Sequence, residues 1–484
     1  MAKRTVEPIF DGRTFNDFLF RPQYSSVLSR KDITDLSVRV CRGVTINVPL
    51  VSANMDTITR ERMAKTMPLE GGVGVLDRSP LIPDQEAMVR YVKRQHSYVI
   101  EEPVTLHRRE SIGKAQELME RHNISGVLLR ESSQMNRLMG ILTHRDILRA
   151  GNNNGAMAWD FATPFEKLIH AKPGITLEDA ERLMLENKIQ KLPLVDEHRK
   201  ICGLITLRDI HLAKQKPYSV KDAKGRLVVG AAIGATKDYL ERAEALVGAE
   251  VDFLVMDVAH AHSAVIWKAV SEFRAKFREF PLVVGNVATY EGAKYLADIG
   301  VDGIKVGIGP GKGCLTRYET NFGVPQIQAI REVYLACRNK IPIMADGGIE
   351  RDGHIVLALF CGADTVMLGS MFAATEETPG EVIHKNGKQY KYYRGMTSPE
   401  SVLGGLKDRV NAREALSTPA EGKEEIVEMR GSVVDIISRI AGHLRSAVSY
   451  AGGKNLAQAR RNFLNHPELF IQLSEAAKKE SFDR

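Results

Sequence analysis

Residues 303–317 read GIKVGIGPGKGCLTR, and this stretch organises the rest of the chain. The apolar run 303–306 predicts a short buried strand. Four glycines and a proline then exclude helix or strand from 307 to 313, because glycine loses more backbone entropy than regular structure recovers. Such a loop predicts close backbone approach, carbonyls that can coordinate a cation, and a reactive thiol at Cys314. The alternative is a glycine-rich turn that carries a small, inert buried cysteine.

Apolar runs that alternate with helical patterns surround this loop. The predicted strands are 44–51, 71–76, 227–233, 253–258, 282–286, 303–306, 341–348 and 365–370. Helical patterns separate them, for example 60–67, 288–299 and 326–339. This alternation predicts a parallel sheet with helices outside it. Eight such units are the number in a TIM (β/α)8 barrel, so the predicted fold class is α/β.

Polar residues stand where these strands end. They are Asn54, Asp56, Asp257, Asn286, Asp346 and Ser370. The carboxyl ends of barrel strands form the active-site face, whereas mid-strand positions are filled by Val, Ile and Leu. Each residue could instead cap the following helix, since Asn, Asp and Ser favour that position. Six of them on one rim favour a functional site.

Length and composition limit the classes of protein to consider. A chain of 484 residues with 44% hydrophobic and 26% charged residues predicts a soluble protein of two or three domains. We find neither a bilayer-spanning run nor a signal peptide, so no membrane association is expected. Five scattered cysteines without a CxxC pair favour a reducing compartment, and we expect the cytoplasm. The net charge of +7, without an aromatic-interleaved basic stripe, favours anionic small molecules over nucleic acid.

An internal repeat occupies residues 102–214. Each copy has a β-α-β-β-α pattern and a T-x-R-D signature, and Thr206 lies 63 residues after Thr143. Neither copy can bury a core alone, so we expect the two to pack against each other. The predicted domains are therefore 1–101 and 215–484, which together form the barrel, and 102–214. The repeat resembles a tandem pair of cystathionine-β-synthase (CBS) domains, known as a regulatory module.

The CBS resemblance implies that the signature binds regulatory nucleotides of the ATP or GTP type, with its Asp on the ribose hydroxyls. The residues concerned are Thr143, Arg145, Asp146, Thr206, Arg208 and Asp209. The alternative is a structural role for the repeat. Thr-x-Arg-Asp is also an acceptable helix start, with Thr as the N-cap and Asp in the first turn.

Over nearly its whole length the chain resembles the IMP dehydrogenase/GMP reductase family, a TIM barrel with a CBS pair inserted after the second βα unit. The matching segments are 307–316, MADGGI at 344–349, MLGSM at 367–371, YRGM at 393–396 and AEGK at 420–423. The resemblance implies a purine nucleoside monophosphate as substrate, a nicotinamide cofactor and a potassium ion. It also implies homotetramers that pair into octamers.

The same resemblance implies roles for individual residues. Cys314 is the nucleophile that attacks purine C2, and the catalytic set is completed by Thr316, Arg409 and Glu421. The substrate-binding residues are Asn54, Asp346, Gly347, Gly348, Gly369, Ser370, Tyr393, Gly395 and Met396. The cofactor faces Asp257, Asn286 and Gly307, and potassium is held by the carbonyls of Gly309, Gly311 and Cys314. Lys312 stands where family members often have Ser.

The direction of the reaction is predicted from the flap segment 406–411. Dehydrogenases of the family activate water with an adjacent Arg-Tyr pair, and here Arg409 is followed by Val410. An apolar side chain cannot relay a proton, so we predict a GMP reductase that uses NADPH. The alternative is an IMP dehydrogenase that uses NAD, which the CBS pair, NVAT at 286–289 and YRGM at 393–396 favour. A third reading is a nucleotide-sensing protein with an inactive barrel.

Overall fold

The computed structural model describes residues 6–95, 99–122, 124–132, 136–151, 153–395, 398 and 421–482. The strands are β1 (Phe18–Phe20), β2 (Val38–Cys41), β3 (Val44–Ile46), β4 (Leu50–Ser52), β5 (Val73–Leu76), β6 (Thr105–His107), β7 (Gly126–Arg130), β8 (Leu138–Thr143), β9 (Thr163–Pro164), β10 (Lys191–Val195), β11 (Ile201–Thr206), β12 (Val229–Ile233), β13 (Phe253–Asp257), β14 (Leu282–Val287), β15 (Gly303–Val306), β16 (Ile343–Asp346), β17 (Thr365–Leu368), β18 (Ile383–Lys385), β19 (Lys388–Arg394), β20 (Glu424–Glu428) and β21 (Phe470–Gln472). The α-helices are α1 (Glu61–Leu69), α2 (Ile82–Arg94), α3 (Ile112–His122), α4 (His144–Ala150), α5 (Ala158–Phe161), α6 (Leu177–Glu186), α7 (Leu207–Gln215), α8 (Tyr239–Gly248), α9 (Ala264–Lys276), α10 (Tyr290–Asp298), α11 (Thr316–Thr320), α12 (Gln326–Cys337), α13 (Asp352–Cys361), α14 (Val433–Tyr450), α15 (Leu456–Leu464) and α16 (Glu475–Phe482).

Within the described ranges, eight parallel strands close into a barrel in the order β4-β5-β12-β13-β14-β15-β16-β17. The pairing of β17 with β4, with Met367 opposite Val51, completes the ring. These strands are almost wholly buried, as expected for parallel strands whose outer face is covered by helices. Each predicted strand region contributes one barrel strand, so the predicted TIM barrel is confirmed.

The first predicted strand, 44–51, is wrong as a single element. Residues Val44–Ile46 form a hairpin strand antiparallel to β2, and only Leu50–Ser52 belongs to the barrel. The amides of Asn47 and Val48 both donate to the carbonyl of Gly71 at 2.8 Å. The next residue, Pro49, has no amide hydrogen to donate, so a strand ladder cannot continue through this point.

A three-stranded antiparallel sheet, β18-β19-β20, follows the last barrel strand. Strand β19 contains Tyr393 and ends immediately before Gly395, and β20 begins three residues after Glu421. Helices α14 and α15 pack against α13 on the outside of the barrel. After β17, the last strand of the barrel, the chain thus comes back to the barrel rim twice. The end of β19 and the segment before β20 both supply residues to the site described below.

The chain divides into two compact units, and the second comprises His96–Pro217 and Asp222–Arg226. It contains the sheet β6-β7-β8-β9 and the hairpin β10-β11. Leu128 and Ile141 of the first repeat copy share a buried cluster with Val195 and Leu204 of the second. The two copies therefore pack against each other, as the repeat pattern requires. Among the described helices, none is both long and apolar enough to cross a membrane.

Candidate active site

A cavity of about 270 Å³ opens at the carboxyl ends of the barrel strands. Its lining includes sixteen of the predicted site residues: Asn54, Asp257, Asn286, Gly307, Gly309, Gly311, Cys314, Thr316, Asp346, Gly347, Gly348, Gly369, Ser370, Tyr393, Gly395 and Glu421. Met396 and Arg409 lie outside the described residues, as does Val410. The rim where the barrel strands end is therefore the place where residues from remote segments converge.

The thiol of Cys314 begins a chain of hydrogen bonds across the cavity wall. Its Sγ donates to Thr316 Oγ1 at 3.2 Å, and Thr316 Oγ1 donates to Glu421 Oε2 at 2.5 Å. Backbone bonds hold the segments together, since the amide of Leu315 donates to the Glu421 carbonyl at 2.7 Å. A hydroxyl between a thiol and a carboxylate can pass a proton in either direction.

Glycine conformations give the cysteine loop its path. Gly307 has a φ of +140°, and a Cβ there would lie 2.2 Å from the carbonyl oxygen of Asp346. The side chain of Arg317 holds the loop in place, because its Nε donates to the Ile308 carbonyl at 3.0 Å. Gly309 lies against that arginine side chain at a φ of +74°, and a Cβ there would be 2.6 Å from Arg317 Cγ. Only glycine fits these positions, which explains the sequence of the loop.

The same loop was predicted to hold potassium through main-chain carbonyls. Among the described residues, no three His, Cys, Asp or Glu side chains come together as a metal site. Oxygens of backbone carbonyls are the ligands that potassium favours. The Gly311 carbonyl accepts a hydrogen bond from the Cys314 amide at 2.9 Å, so one of the three proposed oxygens also closes a turn. A carbonyl has two lone pairs, and the donor set remains compatible with a monovalent cation.

A buried lysine that the sequence analysis missed forms the cavity floor. Lys305 is 2% exposed, and its Nζ lies 3.0 Å from Asp257 Oδ1 and 2.5 Å from Asp346 Oδ2. Asn54 Nδ2 donates to the other oxygen of Asp257 at 2.6 Å, and Asn286 Nδ2 donates to Asp346 at 3.0 Å. A charged residue inside an apolar strand was the signal, because Lys is almost never fully buried unless it is paired.

This network favours the charged form of the Asp257 carboxylate beside the cavity. Burial by itself would raise the pKa of Asp257, but the Lys305 ammonium and the Asn54 amide outweigh it and hold that pKa below its ordinary value. Burial would lower the pKa of Lys305, and the carboxylates of Asp257 and Asp346 overcome it and raise that pKa. The ribose-binding and cofactor-facing carboxylates predicted from the sequence therefore share one cation.

Two glycine turns form a cradle on one side of the cavity. Gly347 and Gly348 have φ values of +90° and +78°, and they precede α13. Gly369 follows the neighbouring strand β17, and a Cβ there would lie 3.4 Å from the hydroxyl of Tyr393. Burial raises the pKa of the Tyr393 phenol, so it stays protonated and can donate. Glycine turns before a helix, with free amides and a hydroxyl, are suited to a phosphate group.

A neutral histidine supports the first of these turns. His354 is 3% exposed, stacks on Phe15 with ring centroids 4.8 Å apart, and accepts from the Glu350 amide at 3.3 Å. Burial, together with the Arg351 guanidinium, lowers the pKa of His354 to about 3. The ring is therefore uncharged at neutral pH and acts as a hydrogen-bond acceptor beneath the turn. Nothing in the sequence pattern identified it.

Asp56 and Lys312 take partners that the sequence did not indicate. Asp56 lies on the rim, but its carboxylate pairs with Arg394 at 2.6 Å and faces a neighbouring cavity of about 610 Å³. Lys312 lines the main cavity, and its Nζ lies 2.8 Å from Glu425 Oε1. Sequence pattern placed both residues near the site, whereas the partners come from the antiparallel sheet that follows the barrel.

The signature residues of the repeat lie in the second unit. The hydroxyl of Thr143 donates to Asp146 at 2.7 Å, and that of Thr206 donates to Asp209 at 2.5 Å. Both Asp residues therefore complete helix starts, which is the structural role left open by the sequence. Arg145 and Arg208 are exposed.

The molecule is a parallel barrel with a cavity at its rim. A hydrogen-bonded thiol, hydroxyl and carboxylate line this cavity together with glycine turns suited to a phosphate, and these features define the molecule as a TIM-barrel enzyme. The profile of the IMP dehydrogenase / GMP reductase domain matches residues 12–483. The chain therefore belongs to the IMP dehydrogenase/GMP reductase family of purine nucleotide oxidoreductases.

Individual relatives carry both names of the family. Inosine-5′-monophosphate dehydrogenase of Nitrosopumilus maritimus (strain SCM1) is 41% identical, over 97% of this chain and 98% of that protein. The enzyme of the same name from Aquifex aeolicus (strain VF5) is also 41% identical, over 98% of this chain and 95% of that protein. A solved structure of a cysteine-to-alanine GMP reductase from Trypanosoma brucei, in complex with guanosine 5′-monophosphate, is 35% identical with a TM-score of 0.85, and 98% of each chain is covered. The GMP reductase of that organism in complex with guanosine 5′-triphosphate is 32% identical with a TM-score of 0.75, over 96% of this chain and 99% of that one.

Proposed function

We propose that this chain is a GMP reductase, which converts GMP and NADPH into IMP, ammonia and NADP. The hydrogen-bonded chain from Cys314 through Thr316 to Glu421 carries the chemistry of the proposal. The direction rests on Val410, which stands where the dehydrogenases of the family have the tyrosine that activates water. The likeness to the GMP reductase solved with guanosine 5′-monophosphate supports the same direction.

The substrate is proposed to lie with its phosphate in the cradle of Gly347, Gly348, Gly369 and Ser370. Its ribose hydroxyls then reach Asp346, whose Oδ2 lies 2.5 Å from the Lys305 ammonium nitrogen. The purine is then proposed to lie over Cys314, in the cavity that Asn54, Thr316 and Glu421 also line. Asp257, Asn286 and Gly307 would hold the dinucleotide, which would supply a hydride at purine C2.

In the first step the Cys314 sulfur forms a bond to C2 of GMP, and the thiol proton passes through Thr316 towards Glu421. The relay returns a proton to the 2-amino group, which leaves as ammonia while sulfur stays on C2. After hydride reaches C2, the carbon–sulfur bond breaks and IMP is released with Cys314 as a thiolate, which then takes up a proton from solvent to restore the thiol. Glu421 therefore accepts the thiol proton in the first step and gives it up as ammonia leaves.

An IMP dehydrogenase is the second candidate, because the relatives at 41% identity bear that name. It requires a group that activates water for attack on the same sulfur-bound purine, and Arg409 would have to act without the tyrosine. A nucleotide-sensing protein with an inactive barrel is the third. Purified protein is incubated with GMP plus NADPH and with IMP plus NAD, and the nicotinamide absorbance is followed in both.

The expected result is oxidation of NADPH in the first mixture only. Brisk formation of NADH in the second mixture, with GMP untouched, would reverse the direction. The Cys314→Ala protein is the control for both mixtures, and turnover by neither form of the protein would leave only the nucleotide-sensing role.

Regulation, assembly and location complete the proposal. The second unit, predicted at 102–214, is proposed to be a CBS pair that binds ATP- or GTP-type nucleotides, supported by its internal repeat. The protein is proposed to form homotetramers that pair into octamers, in the cytoplasm, with potassium on the cysteine loop. Analytical ultracentrifugation with and without ATP and GTP tests the assembly, and replacement of potassium by sodium in the turnover assay tests the cation.

A further inference from the structure

Lys312 lines the cavity and lies on the cysteine loop between two glycines that contact residues around the cradle. Its neighbour Gly311 lies against the first glycine turn, since a Cβ at Gly347 would be 3.1 Å from the Gly311 amide nitrogen. Its other neighbour, Gly313, lies against the second wall, with a would-be Cβ 3.0 Å from the Gly395 amide nitrogen and 3.5 Å from the Tyr393 ring. The lysine between these two glycines is therefore flanked by the groups that form the cradle.

The present partner of Lys312 is a loosely held carboxylate. The Lys312 side chain is 43% exposed and that of Glu425 is 28% exposed, so their ion pair is partly screened by water. Although Nζ is only 2.8 Å from Glu425 Oε1, that buried oxygen makes no hydrogen bond of good geometry with any described residue. A hydrogen bond weakens steeply with misalignment, so the contact is electrostatic and easily given up.

Glu425 also keeps a partner if Lys312 leaves. The Nζ of Lys423 lies 3.9 Å from Glu425 Oε2, so the carboxylate does not become an isolated charge. A phosphate monoester offers a charge close to −2 and three acceptor oxygens, against the single charge of Glu425. A lysine ammonium carries three donors on a flexible four-carbon stem and binds phosphate as a point charge.

We propose that Lys312 is an exchangeable specificity residue, which pairs with Glu425 while the cradle is empty and with the 5′-phosphate of the substrate once it is occupied. Substrate binding then breaks the ion pair with Glu425 and forms a stronger one with the phosphate. A nucleoside has no phosphate, so Lys312 does not add to its binding affinity. The inference rests on the proposed purine mononucleotide substrate, but it holds for either direction of the reaction, because GMP and IMP both carry the phosphate.

The two partners are predicted to change affinity in opposite directions. Lys312→Met and Glu425→Gln are made in the Cys314→Ala protein, so that no turnover occurs, and GMP, IMP, guanosine and inosine are titrated by calorimetry. Lys312→Met is expected to weaken binding of both nucleotides at least tenfold and to leave the nucleosides unchanged. Glu425→Gln removes the competitor and is expected to tighten nucleotide binding severalfold. Lys388→Met, which breaks an exposed pair with Glu428 on the same sheet, is the matched control and should change neither.

Two results overturn the exchange. If both variants weaken nucleotides and nucleosides alike, the ion pair is a clamp that merely holds the loop. If Lys312→Met leaves nucleotide affinity unchanged, the ammonium does not reach the phosphate. Failure of the proposed function is distinguishable, because the Cys314→Ala protein with Lys312 intact would then bind none of the four compounds. Circular dichroism of each variant confirms that the fold is retained.

Discussion

Replacement of Lys305 by methionine tests the charge network on the cavity floor. The substitution keeps a long unbranched side chain and removes the cation that lies within 3.0 Å of both Asp257 and Asp346. Loss of one member of a buried ion pair typically costs about 3–5 kcal/mol, because the remaining charge is left without a partner. The two carboxylates are still 21% and 23% exposed towards the cavity, so water compensates in part and we expect about 3 kcal/mol.

The pH dependence identifies the cause of the loss. In the wild-type protein the pKa of Asp257 is held below its ordinary value, so its stabilising effect is present above the pKa of the unfolded chain and is lost as the pH falls through the folded pKa. Without the cation, burial of Asp257 is no longer offset by the Lys305 ammonium, so this carboxylate takes up a proton more readily. The difference in free energy of unfolding between variant and wild type should therefore become smaller as the pH falls from about 7 to about 4.

Urea denaturation followed by circular dichroism at several pH values measures this difference. Lys276→Met is the matched control, because it breaks an exposed pair with Glu244 at 2.7 Å and should cost less than about 1 kcal/mol at any of these pH values. The reasoning fails if Lys305→Met is as stable as the control. It also fails if the deficit is large but constant with pH, since burial of a misfitting side chain would then explain it.

Three further predictions concern the relay, the loop and the thiols. Thr316→Val and Glu421→Gln should each lower kcat by about 10²–10⁴-fold while nucleotide binding persists, and Thr316→Ser should retain most activity; equal losses for serine and valine would exclude the hydroxyl relay. Gly307→Ala should destabilise the protein in urea, because its Cβ would lie 2.2 Å from a carbonyl oxygen, whereas Gly442→Ala in a helix with nothing within 4 Å should be neutral or stabilising. Burial raises the pKa of Cys361 to about 12, so iodoacetamide at neutral pH should label the loop cysteine and spare this one, and mass spectrometry of digests would reveal the opposite order.

Much of the architecture could be read from local pattern. Barrel strands are short apolar runs followed by polar residues, and this pattern located the rim that carries Asn54, Asp257 and Asp346. It misjudged 44–51, because the run looks like one strand in sequence, while the hydrogen bonds of Asn47 and Val48 go to Gly71, which is remote in sequence. Apolar pattern reports burial, and burial does not say which neighbour a strand takes.

The amino-acid sequence alone determined the barrel, the repeat, the glycine loop and the family, since each depends on residue types at fixed spacing. Only the tertiary structure decided that Lys305 forms ion pairs with two carboxylates from different strands. It also decided that Thr316 donates a hydrogen bond to Glu421 and that Lys312 forms an ion pair with Glu425. Thr316 and Glu421 are 105 residues apart, and Lys305 is 41 residues from Asp346. Contacts over such separations follow from how strands and returning segments close on one rim, and no local propensity encodes them.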